Sequence, residues 1–117
     1  MERNPGWVLG RMLIASVFIV MGAWRLMARA DGQAIGDATL VFSTLELALG
    51  LLIASGWRLR WTAALAAVAM LVDAVLSHPF WTFAGAELGA QLLHFMKNIA
   101  LIGGLVLLAA ADRPRRH

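Results

Sequence analysis

The chain has 117 residues, 61% of them apolar and 15% charged, with no cysteine and a formal net charge of +3. Average globular usage is roughly 25% charged, so this is the composition of a membrane protein, and the length suits one domain. The absence of cysteine excludes disulfides, thiol redox chemistry and thiolate-held iron–sulfur, zinc or haem within this chain. The basic residues sit at the ends of apolar spans, where they set topology, and this argues against nucleic acid as a partner.

The first apolar span runs over residues 7–28. Arg3 and Arg11 before it, and Ala28-Arg29-Ala30 after it, resemble a secretory leader with an A-x-A cleavage site. Arg25 and Arg29 crowd that region, so the span reads as a first transmembrane helix. Arg11, Ala15, Phe18, Gly22, Arg25 and Arg29 step by three and four along one stripe of it. The second span, 38–56, carries a polar and small stripe of Thr39, Ser43, Glu46 and Gly50. The third, 61–78, is rich in alanine, places Asp73 and Ser77 on one face, and stops where Pro79 disfavours a helical conformation at His78. The fourth, 91–111, aligns Gln91, His94, Asn98 and Leu101, with Lys97 beside them.

Each span is near the ~20 residues needed to cross ~30 Å of hydrocarbon as a helix, and none shows strand alternation. The expected fold is all-α, an integral membrane four-helix up-down bundle forming a single domain over 1–117. Arg3, Arg11, Arg58, Arg60, Arg113, Arg115 and Arg116 fall on the side of the termini and the second loop, so the positive-inside rule places both termini in the cytoplasm. Trp7, Trp24, Trp57, Trp61 and Trp81 all fall near expected interfaces, as an aromatic belt does. Gly6/Gly10, Gly32/Gly36 and Gly85/Gly89 have the G-x-x-x-G spacing but lie at ends or in loops, a weak dimer signal.

Every span holds an ionisable residue. At ~1.5 Å rise per residue, Glu46 lies ~12 Å, Asp73 ~8 Å, Lys97 ~9 Å and His94 ~5 Å from the outer ends of their spans, with Arg25 about one turn in. A charge at the bilayer centre costs roughly 2.5 kcal/mol or more, so opposite charges at one depth are expected to pair around an outward-facing polar pocket.

With these residues in view the chain resembles the DoxX family of small four-helix bacterial membrane proteins. The likeness rests on the Arg11-to-Gly22 stretch, Glu46-Leu47-Ala48-Leu49-Gly50 and Gly56-Trp57-Arg58-Leu59. It is strongest over His78-Pro79-Phe80-Trp81 and the run from Leu92 to Gly104, which contains His94-Phe95-Met96-Lys97-Asn98. The resemblance implies a bacterial inner-membrane protein. Some relatives are linked to quinone-coupled thiosulfate oxidation or to membrane oxidoreductase assemblies. Two departures stand out: Trp24-Arg25-Leu26 replaces a Gly-Lys-like end of the first helix, and Asp73 occupies a usually apolar position.

Two readings stay open for His94, Lys97 and Asn98. They form a site for a quinone head group or small anion, or they lock the bundle, with Lys97 paired to Glu46 or Asp73. Glu46 and Asp73 read as proton relays or as buried counter-ions, and His78 as a helix cap or a ligand. A haem b between His78 and His94 lacks a second histidine pair and an aromatic pocket, and no metal-ligand spacing is present. Arg113-Pro114-Arg115-Arg116 reads as a topogenic, lipid-binding tail, and Gly103-Gly104 as a site of close packing. No nucleophile–base pair, phosphate loop or dinucleotide fingerprint is present. The expected function is a redox-associated inner-membrane subunit without an intrinsic cofactor, with a pocket for quinone or a small anion. Its expected partners are the lipid bilayer and other membrane subunits or further copies of itself. The alternatives are a structural accessory subunit and an oligomeric small-solute carrier.

Overall fold

A computed structural model of the protein describes residues 5–112, so Arg3 and the basic residues of the C-terminal tail lie outside the described residues. Four helices run antiparallel in chain order: α1 (Pro5–Ala30), α2 (Asp37–Ser55), α3 (Leu59–Ser77) and α4 (Gly85–Ala111). All four are long and apolar enough to cross a membrane. The protein is an all-helical, four-helix membrane protein.

The helix ends follow local chemistry. Pro5 opens α1, where its missing N–H has no intrahelical partner to lose. α2 ends on Gly56, whose left-handed backbone (φ 79°) aims its N–H back at the carbonyls of Leu52 and Ile53. Arg58 is also left-handed (φ 42°), and α3 starts at once. After His78 and Pro79 the chain makes one 3₁₀ turn (Phe80–Thr82) and enters α4 at Gly85. That is six residues before the expected start at Gln91. Glycines at 85 and 89 disguise this first stretch, yet Ala86, Leu88 and Ala90 favour helix and Glu87 complements the helix dipole.

The helices associate as two hairpins. α1 packs chiefly on α2, and α3 on α4; the hairpins meet less extensively through α2–α3 and least through α1–α4. In lipid the drive for this is close packing rather than escape from water, and two glycines supply it. A Cβ on Gly22 would stand 2.7 Å from the Ser43 carbonyl, and one on Gly50 2.8 Å from Phe18 Cβ. The expected close packing at Gly103-Gly104 is weaker. A Cβ at Gly103 would meet open space, and one at Gly104 an ordinary contact with Ile14. Of the alanines of α3, Ala63, Ala66, Ala67 and Ala69 are buried, whereas Ala64 is exposed.

The apolar core occupies the middle and the terminal half of the bundle. It joins Ala15 and Phe18 to Leu49, Ile53, Leu59, Ala66, Met70, Leu105 and Leu108. Asp112 pins that end, accepting a hydrogen bond from the Arg60 backbone N–H at 3.3 Å. Outward, α1 alone exposes Leu9, Leu13, Val17, Val20, Trp24 and Met27. Such an apolar face suits hydrocarbon and not water.

Candidate functional site

Towards loops one and three the apolar core gives way to polar side chains contributed by all four helices. Arg25 of α1 donates to the carboxylate of Glu46 on α2. The Glu46 side chain is 6% exposed and that of Arg25 30%. On the other hairpin, Asn98 of α4 donates to Asp73 Oδ2 of α3 at 3.1 Å, and the Ser77 hydroxyl donates to Asp73 Oδ1 at 2.8 Å. The carboxyls of Glu46 and Asp73 are near enough to interact electrostatically. Arg25, Glu46, Asp73 and Asn98 therefore lie at one level, where the two hairpins part.

Between the hairpins lies an open cleft of about 330 Å³. Arg25, Thr39, Asp73 and Ser77 supply its polar lining; Ala38, Phe42, Val72 and Leu76 supply its apolar walls. The stripes explain the arrangement. Ala15, Phe18 and Gly22 are buried along α1, and the same stripe carries Arg25 to the cleft. Ser43, Glu46 and Gly50 are buried on α2, and Thr39 continues their stripe to the rim.

The structure divides the remaining candidates. His94 and Lys97 are exposed on α4 and do not line the cleft. Among the described residues Lys97 pairs with neither Glu46 nor Asp73, because Arg25 holds the first and Asn98 with Ser77 the second. At this level α1 and α2 are thus joined by the Arg25–Glu46 ion pair, and α3 and α4 by the neutral Asn98 donor on Asp73. His78 is half-buried beyond the end of α3, with Nδ1 3.0 Å from Gln91 Oε1 and its ring stacked on His94 at 5.0 Å and 26°. The stacked rings present their faces to each other.

Sequence reasoning passed over Phe42, Val72 and Leu76. Aliphatic and aromatic residues on membrane helices carry no signal that separates a cleft wall from a lipid-facing surface. It also passed over the clamp on loop one, where Arg29 donates to the Ile35 carbonyl at 3.1 Å and to Asp37 at 3.2 Å. An i, i+8 charge pair across a glycine-containing loop is visible in the sequence, and could have suggested it.

No family model matches the chain, and no solved structure does. The chain is similar to the inner membrane protein YphA of Escherichia coli (strain K12), at 27% identity over 112 residues that span 87% of this chain and 79% of that one.

Proposed function

We propose that the protein is a subunit of a bacterial inner-membrane redox system and binds a quinone head group in the cleft between the hairpins. The observation that carries this reading is one apolar-walled cleft with Arg25 and Asp73 both on its lining. Pockets for small amphipathic ligands are mostly apolar with a few placed polar groups. A quinone carbonyl accepts from the Arg25 guanidinium or from the Thr39 hydroxyl; a quinol hydroxyl donates to the Asp73 carboxylate. Arg25, Glu46 and Asp73 together carry one formal negative charge, which disfavours a small anion and suits a neutral head group. The likeness to YphA supports an inner-membrane location, and the DoxX-like segments support a redox setting. Arg58 in loop two and Arg60 in the first turn of α3 favour cytoplasmic termini. Electron-transfer centres belong to partner subunits in this reading.

A structural accessory subunit is the second reading, favoured by α4, whose spanning segment is the least covered of the four. Quinone analysis separates the two. Protein purified in mild detergent and solvent-extracted should yield about one quinone per chain. Val72→Trp, which fills the cleft, should remove nearly all of it, and Asp73→Asn should weaken retention by about tenfold, as loss of a hydrogen bond to a charged group does. Equal quinone content in the wild type and both folded variants would reject the cleft as the site and leave the accessory reading.

A further inference from the structure

Lys97 and His94 sit one turn apart on one side of α4, and both are exposed. An ammonium on the outside of a spanning helix is costly unless it reaches polar surroundings, so its level decides what it meets. Phe95 fixes that level. It packs edge-on against Phe80 at 5.1 Å and Trp81 at 6.0 Å. Trp81 is 55% exposed, and exposed tryptophans of spanning proteins sit among the lipid head groups. Lys97 is two residues further along, about 3 Å deeper at the helical rise. Its Cα–Cβ bond leans towards the N-terminus of α4, which is the end that Trp81 marks. The four-carbon stem then carries the ammonium up to head-group level, alongside His94.

We propose that His94 and Lys97 form a binding site for the phosphate of an anionic phospholipid on the outer surface of α4. The Lys97 ammonium supplies the charge and up to three donors, and the His94 imidazole supplies a further N–H. Stacking on His78, itself held by Gln91, fixes the His94 ring from the bundle side. Exposed Leu93 and Met96 flank the pair with apolar surface for the lipid tails. A bilayer phosphate fits better than a carboxylate from another helix, because the pair lies at the depth where phosphates are already concentrated. The site is separate from the cleft and does not rest on quinone binding.

Native mass spectrometry of the intact chain tests the assignment, with phosphatidylglycerol and phosphatidylethanolamine offered at equal concentration. The wild type should retain phosphatidylglycerol in preference. Lys97→Gln combined with His94→Gln should lower that retention by about fivefold or more, and Lys97→Arg should keep it. Circular dichroism confirms that the double variant is folded, since both side chains are exposed. Undiminished phosphatidylglycerol retention in the folded double variant would overturn the proposal. So would binding of inorganic phosphate by lipid-free wild type, which assigns the pair to a soluble anion. Val72→Trp should leave lipid retention unchanged; loss there would tie the lipid to the cleft and equally overturn a separate site.

Discussion

The side chain most dependent on its neighbour is Glu46. It is buried between α1 and α2 with Arg25 as its cationic partner. Removing one member of such a pair leaves an uncompensated charge, at a cost of about 3–5 kcal/mol when both are fully buried; the partial exposure of Arg25 lowers this. Arg25→Leu alone should therefore reduce thermal stability in detergent more than the double variant Arg25→Leu/Glu46→Leu, in which no charge is stranded. A melting series on the three proteins checks this, and a double variant worse than the single one would contradict it. Ser43 behaves oppositely. Its hydroxyl is buried and has no hydrogen-bond partner among the described residues, so Ser43→Ala should be neutral or stabilise by up to about 1 kcal/mol, read from the same melts.

At the scale of elements, the α1–α2 hairpin depends on two glycines that let backbones nearly touch. Gly22→Ala places a methyl against the Ser43 carbonyl and the Leu47 N–H, and Gly50→Ala places one against Phe18 and Ile19. Neither neighbour is the free end of a flexible chain. Each substitution should cost about 1–3 kcal/mol, as overpacking does, whereas Gly103→Ala faces open space and should be silent. Comparative melts of the three variants would decide; equal effects at positions 22 and 103 would rule out the close-packed crossing. Much of this level was legible in the sequence. The three-and-four stepping of Ala15, Phe18, Gly22 and Arg25 marked the buried face of α1, and Asp73 with Ser77 marked the polar face of α3. The start of α4 was not legible, because Gly85 and Gly89 look like loop residues until helical neighbours and tertiary packing override their low propensity. Nor was the pairing of the charges. Shared depth brings Arg25, Glu46, Asp73 and Lys97 into one layer, but only the rotation of each helix decides that Lys97 faces outward while Asn98, one residue on, faces Asp73.

At the scale of the whole molecule, two hairpins are zipped by an apolar core at one end and parted by a polar cleft at the other. Both termini and loop two share one face of the membrane, the cytoplasmic one in our proposal. Because the chain has no cysteine, single cysteines at Trp57 and Thr82 give clean reporters. A membrane-impermeant thiol reagent added to intact spheroplasts should label position 82 and spare position 57, and the reverse pattern would invert the topology. Photo-crosslinking with a short-chain azidoquinone, followed by peptide mapping, locates the quinone site. Adducts are expected within residues 38–42 of α2 and 72–77 of α3, suppressed by excess unlabelled quinone. Specific adducts confined to α4 around His94 and Lys97, or no competable adduct at all, would contradict it.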